Sequence, residues 1–179
     1  MKPLDSKILK KFLTLASDQL TGNWILIGGT LLPALGLDVR STMDIDFVAE
    51  DTESTNQTLL LMGIAEQLKL PVETINQTGA YFLKKIPDYK ERLILMKQGK
   101  QASIFRPELD LYIELKANRL TETDLQDCFS YLKFCKKKKE KFDSKKTISF
   151  LKKRIRSEKN IEKTNRLKAL LDQIETLKT

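Results

Sequence analysis

Residues 44–48, Asp44-Ile45-Asp46-Phe47-Val48, alternate with period two. On a strand this sets Asp44 and Asp46 side by side on one face, while Ile45 and Phe47 turn to the core. Two carboxylates that close repel unless a cation lies between them or one takes up a proton. Mg²⁺ suits such a pair, because it binds through one or two carboxylates and completes its shell with water and substrate phosphate oxygens. Upstream, Gly28-Gly29-Thr30 ends the apolar run Trp24-Ile25-Leu26-Ile27. Glycines without Cβ let backbone amides approach a phosphate chain, and the N-terminus of a following helix favours negative charge. Together the motifs describe phosphoryl transfer driven by positioning and metal electrostatics. Each alone has a plain structural reading, a tight turn or a surface strand end. Their order, with one short helix between them, is what argues for chemistry.

Composition agrees with that chemistry. The 179 residues contain no histidine, which excludes Ser-His-Asp and Cys-His catalysis and imidazole-based zinc sites. The net charge of +8 is unevenly placed. Residues 1–135 carry 16 Lys/Arg against 18 Asp/Glu, whereas residues 136–179 carry 16 against 6. The positive excess therefore belongs to a tail opening with Lys136-Lys137-Lys138-Lys139, which implies either contact with a polyanion, nucleic acid being the default, or a solvated helical face. Cys128 and Cys135 lie seven residues apart on an expected helix, about 10 Å along its axis, too far for a disulfide. Buried thiols, no signal peptide and no bilayer-length apolar run give a cytoplasmic expectation, with no membrane partner.

The elements that must position the acids follow from periodicity. Asp5 and Ser6 offer an N-cap to a helix carrying Ile8, Leu9, Phe12, Leu13, Ala16 and Leu20. A strand is expected at 24–27, a helix at 30–37 with Pro33 in its first turn, and a strand at 44–48. A helix at 55–70 precedes extended stretches around 72–75, 80–83 and 92–96, with a fourth at 102–105. After Arg106-Pro107, helices are expected at 108–120, 123–135, 143–157 and 161–177, the last striped by Leu167, Leu170, Leu171, Ile174 and Leu177. The fold class is α/β (α+β): a small mixed sheet flanked by helices over residues 1–107, then a helical part over 108–179 whose basic tail begins at 136.

At this point the residues resemble a family. Ile27-Gly28-Gly29-Thr30, with Arg40-Ser41-Thr42-Met43-Asp44-Ile45-Asp46-Phe47, is similar to the signature of the DNA polymerase β-like nucleotidyltransferase superfamily. The small bacterial branch that includes AbiEii-type toxins and uncharacterised nucleotidyltransferase-like proteins is the most similar. Two further stretches resemble that branch, Ile86-Pro87-Asp88-Tyr89-Lys90-Glu91-Arg92-Leu93 and the series Asp110, Lys116, Arg119, Asp124, Asp127, so that residues 24 to about 134 are covered. The resemblance implies a minimal nucleotidyltransferase fold. It makes Asp44 and Asp46 the catalytic metal ligands for Mg²⁺ (or Mn²⁺), and gives Gly28, Gly29 and Thr30 to the nucleotide phosphates. It sets Lys116 toward the triphosphate, the alternative being an exposed helix lysine, with Asp127 near the same cleft. Arg40, Ser41 and Thr42 line the approach to the carboxylates, or cap and orient the strand. Asp110 and Asp124 read as helix caps. Active members carry a third carboxylate on a later strand; the stretch 81–85 has no acid, leaving Asp88 and Glu73 as candidates.

Two functions follow. One is an Mg²⁺-dependent transferase that moves a nucleotide from an NTP to an RNA (tRNA among the candidates) or protein hydroxyl, with RNA or another polyanion held by the 136–179 tail. A toxin paired with a cognate antitoxin is its biological version. The other is a catalytically inactive relative that binds nucleic acid or a partner protein.

Overall fold

The computed structural model describes residues 4–37, 42–50 and 55–176. The chain divides into two compact units, Met1–Pro107 and Glu108–Thr179.

In the first unit, α1 (Ser6–Gln19) starts where the Asp5 carboxylate accepts the Ile8 N–H at 2.6 Å. Such a cap stabilises a helix by about 1 kcal/mol. Leu9, Phe12, Leu13 and Ala16 form the buried stripe of α1. The sheet has five strands, β1 (Gly22–Leu26), β2 (Ile45–Ala49), β3 (Ile75–Asn76), β4 (Leu93–Gln98) and β5 (Ala102–Pro107), in the order β3-β2-β1-β5-β4. β1 runs antiparallel to β2 and parallel to β5; β2 and β3 are parallel, and β4 and β5 antiparallel. The sheet is thus mixed, as expected. One face is tied to α1 by aromatics: Phe47 stacks on Trp24 (centroids 5.0 Å) and meets Phe12 edge-on (5.2 Å), arrangements worth about 1 kcal/mol each beyond their burial. The remaining helices of this unit are α2 (Leu31–Ala34), α3 (Thr55–Gln67) and α4 (Gly79–Leu83).

Three local expectations change. The helix expected at 30–37 is the single turn of α2. Gly36, at φ +79°, closes it as the Leu37 N–H returns to the Leu32 carbonyl at 2.9 Å. Residues 72–74 form a 3₁₀ turn, and only Ile75 and Asn76 pair with β2. Residues 80–83 are helical, not extended: in α4 only Leu83 is buried, and Tyr81 and Phe82 face solvent. A short apolar run cannot separate strand from helix by period alone.

The second unit consists of α5 (Leu109–Ala117), α6 (Glu122–Lys138), α7 (Ser144–Ser157) and α8 (Ile161–Thr176). Tyr112 and Tyr131 join α5 to α6 edge-to-face at 4.9 Å. Leu151 of α7 and Leu167, Leu170, Leu171 and Ile174 of α8 are buried, so the tail helices are part of this unit's core. Their charge lies outside it: Lys136–Lys139 are all exposed. Leu177 lies outside the described residues.

Cys128 and Cys135 are buried and form no disulfide. Burial pushes the Cys128 thiol far above its ordinary range, against the pull of the Lys116 charge. Both thiols are therefore expected to stay silent toward Ellman's reagent in the native protein and to react fully in urea, followed by absorbance. Fast native-state labelling of either would contradict this packing.

Candidate active site

The site is built where β1 gives way to α2 and meets β2. Burial alternates as the sequence pattern predicts: Asp44 is exposed, Ile45 buried, Asp46 half-buried and Phe47 buried. The Ile27 N–H donates to the Asp46 carbonyl at 2.9 Å, which continues the β1–β2 ladder one residue past β1. The chain then turns at Gly28, φ +67°, a conformation that L side chains rarely adopt. Asp46 leans over this bare backbone. A Cβ added at Gly28 would lie 1.8 Å from Asp46 Oδ2 and 2.6 Å from its Cγ. The two motifs of the sequence thus touch, and the glycine is required twice over, for its dihedral and for the space its carboxylate neighbour uses.

Thr30 links the motifs a second time. Fully buried, its Oγ1 donates to the Asp44 carbonyl at 2.6 Å and accepts the Asp46 N–H at 3.3 Å. Thr42 Oγ1 donates to the same Asp44 carbonyl at 3.2 Å, and the Thr42 carbonyl accepts the Leu4 N–H at 2.9 Å. The hydroxyls expected near phosphate and at the approach thus bind the backbone of the acidic strand. Arg40 and Ser41 lie outside the described residues. α2 is one turn long, so the helix-terminus contribution expected for phosphate binding falls away, and the Gly28-Gly29 backbone is what remains for it.

Asn76 was not anticipated. It pairs in register with Asp46 across β2 and β3, and its Nδ2 donates to Asp46 Oδ1 at 2.9 Å. Its Oδ1 accepts the Thr78 N–H at 2.9 Å, at the start of α4. In a parallel pair, residues in register project from the same face, so an amide stands beside Asp46 on the strand next to it. The two acids proposed from sequence for that role are elsewhere occupied or exposed: Asp88 Oδ1 pairs with Arg92 at 3.2 Å, and Glu73 is exposed on the 3₁₀ turn. Among the described residues no group of three or more Asp, Glu or Cys side chains is placed to hold a metal. The donors that remain, Asp44 and Asp46, fit a hard cation bound by few carboxylates and several waters.

In the second unit, the Lys116 ammonium is 9% exposed and donates to Asp124 Oδ1 and Asp127 Oδ2, both at 2.9 Å. Arg119 makes a forked pair with Asp124 at 2.9 and 3.0 Å. Asp124 is also half of a capping box: Thr121 is the N-cap of α6, and the two side chains satisfy each other's backbone N–H. Asp110 sits in the first turn of α5, one position after Leu109, with Glu108 at the cap.

Gly28→Ala combines a strained dihedral with a collision against Asp46. It is expected to lower stability by about 2 kcal/mol, a dihedral cost plus a forced shift, read as a lower urea midpoint. Gly28→Ala with Asp46→Ala should recover the steric part alone, which a double-mutant cycle measures.

No helix among the described residues is long and apolar enough to cross a membrane. No curated protein and no solved structure matches the chain. A family model described as "Nucleotidyltransferase of unknown function (DUF6036)" matches residues 4–175, nearly all of the 179-residue sequence. With a mixed sheet, a Gly28 turn and an acidic strand packed into one site, the chain belongs to this nucleotidyltransferase family.

Proposed function

We propose that the protein transfers a nucleotide from an NTP to an RNA hydroxyl, using Asp44 and Asp46 to hold Mg²⁺ or Mn²⁺. The observation that supports this most is the contact of Asp46 with the bare Gly28 backbone, because it brings a metal-binding carboxylate and a side-chain-free backbone to one point. A divalent cation bound there would supply charge neutralisation for the triphosphate. Around it, Gly28 and Gly29 present a backbone that phosphate oxygens can approach, while Thr30 and Thr42 fix the strand that carries the acids. The acceptor hydroxyl releases its proton to solvent as its oxygen bonds to the α-phosphorus and the bond to the departing pyrophosphate breaks. Arg40, Ser41 and Lys116 join the nucleotide contacts on the resemblance; for Lys116 that role competes with the two carboxylates already holding its ammonium.

The exposed Lys136–Lys139 run is proposed to attract the RNA through its backbone charge. A place near AbiEii-type toxins, with a cognate antitoxin as partner, is a further expectation carried by the resemblance alone.

A second reading has its own observation. Asn76, neutral at pH 7 and unable to accept a proton as a carboxylate would, stands beside Asp46 where an additional acid would complete the site. That favours an inactive relative that binds without turnover.

Labelled NTPs, Mg²⁺ or Mn²⁺ and total tRNA separate the two. Incorporation that disappears in the Asp44→Ala/Asp46→Ala variant supports the transferase. No incorporation and no metal-dependent NTP binding, with RNA still bound, supports the inactive reading. The lysine run is tested by Lys136–139→Gln rather than by truncation, because removing α7 and α8 would strip the core of the second unit. RNA affinity and its salt dependence should fall together.

A further inference from the structure

The segment after Asn76 leaves the acidic strand pair and within one short helix presents an unusual surface. Residues 75–87 contain two lysines and no acid. Tyr81 is 63% and Phe82 45% exposed, with ring centroids 5.4 Å apart and planes at 82°. Lys85 Nζ lies 3.8 Å from the Tyr81 ring centroid, and Lys84 is exposed beside it. The position of this cluster is fixed by contacts at the start of α4. A Cβ at Gly79 would fall 2.2 Å from Ile27 Cδ1 and 3.9 Å from Val48 Cγ1. Val48 shares a strand face with Asp46, two residues away, so α4 begins on the face that carries the acid. Asn76 ties the two by hydrogen bonds, one to Asp46 and one from the Thr78 N–H. At five residues α4 is about 7 Å long, and its first residue packs against the strand that carries Asp46.

Two exposed aromatic rings side by side offer an apolar, planar surface to a partner. The chemistry around them narrows the partner. Lys85 covers one face of Tyr81; the exposed remainder of the two rings can accept nucleobases of any sequence, and lysines beside them meet the phosphates between those bases. A helix of one and a half turns offers too little length for a helix-in-groove peptide contact.

We propose that Tyr81, Phe82, Lys84 and Lys85 form a stacking platform for the unpaired nucleotides of a single-stranded RNA acceptor, beside the carboxylates that act on it. This rests on the transferase reading for its purpose, although binding can be measured without turnover. The platform recognises unpaired bases, whereas the exposed lysines of the second unit bind any polyanion.

The test is fluorescence anisotropy of the full chain with a short labelled oligoadenylate RNA, single-stranded and as a duplex. The wild type should prefer the single strand. Tyr81→Ala/Phe82→Ala should weaken single-strand binding about 10- to 100-fold, the range expected for one lost base stack, and leave duplex binding unchanged. Tyr81→Phe, which keeps the π face, should bind as the wild type does. Lys84→Gln/Lys85→Gln should flatten the salt dependence. Both rings are exposed, so circular dichroism and the melting temperature of these variants should match the wild type. Single-strand affinity unchanged in Tyr81→Ala/Phe82→Ala overturns the platform, as does equal affinity of the wild type for duplex and single strand. Loss of a protein partner from that variant, with RNA binding intact, overturns it in favour of a protein-docking face. Asp44→Ala/Asp46→Ala separates the two proposals. RNA binding without incorporation in the wild type sinks the transferase and spares the platform, and incorporation retained by Tyr81→Ala/Phe82→Ala with unchanged RNA affinity does the reverse.

Discussion

Asp46→Asn is expected to reduce nucleotide incorporation by roughly a thousandfold or more while leaving the melting temperature equal to or above that of the wild type. The loss follows from the metal's share in neutralising the triphosphate, several kcal/mol at about 1.4 kcal/mol per tenfold in rate. Stability moves the other way because an amide of the same shape removes a negative charge beside Asp44. Asp46 is half-buried and two residues from Asp44, and an asparagine there can still accept from the Asn76 amide through its Oδ1 and lie over the Gly28 backbone. In metal-free protein the two like charges repel, and an amide of the same shape removes that repulsion. Gains in stability on removing an active-site group are a common sign that the group is kept for function. Asp44→Asn is the companion variant, exposed and free of the contact with Gly28. If both lose incorporation and neither loses stability, the acids act in chemistry. Full incorporation in Asp46→Asn would remove the carboxylate pair from the mechanism.

Asp124→Ala should have the largest effect on folding, a destabilisation of about 3–5 kcal/mol. The side chain is 1% exposed and receives five hydrogen bonds, from Lys116, from two nitrogens of Arg119, and from the Thr121 N–H and hydroxyl. Truncation leaves the Lys116 charge with Asp127 as its described partner and strips the N-terminus of α6 of half its capping box. Against a typical domain stability of about 5–15 kcal/mol this is a large fraction. The same carboxyl also sets a pH dependence. Burial pushes its pKa up, but the hydrogen bonds from Arg119 and Lys116, the Lys116 charge and the Thr121 N–H outweigh burial and hold it well below the usual carboxylate range. A depressed folded-state value means that the contribution is complete above the unfolded value near pH 4 and is lost as pH falls below it. Urea midpoints of wild type and Asp124→Ala measured from about pH 7 down to about pH 3 should therefore stay apart above about pH 5 and draw closer below it, without meeting, because the folded-state value lies below this range. A constant gap between them would show that the charge is not what stabilises the fold.

Much of the architecture was legible because it rests on local rules. The α1 cap at Asp5, the stripe of α8 and the alternation of β2 are each visible within one element, and each is present. The proximity of the glycine turn to Asp46 was legible as an order of motifs; the touching of Gly28 and Asp46 is a long-range contact that no spacing encodes. Asn76 escaped notice for two reasons. β3 has two residues, too few for a period-two signal, and an amide stands where the family resemblance implies an acid. α4 was misread because an apolar run of four residues has no decisive period, and its exposed rings look from sequence like core. The Lys116 cluster joins α5 to α6 across a turn, so its members read separately as a lysine set toward the triphosphate or exposed, an acid near the same cleft and one helix cap.

The closeness of Gly28 and Asp46 makes position 28 a historical record. While a carboxylate is needed at 46, any side chain at 28 must displace it and also adopt an unfavourable dihedral, so drift there is opposed by its neighbour as well as by any phosphate the backbone receives. Once a lineage stops using Asp46 and replaces it with a small residue, that space opens, and Asn or Asp, which tolerate a positive φ, become admissible at 28. A copy of this gene with a side chain at 28 would thus carry the mark of a retired site, readable without any assay.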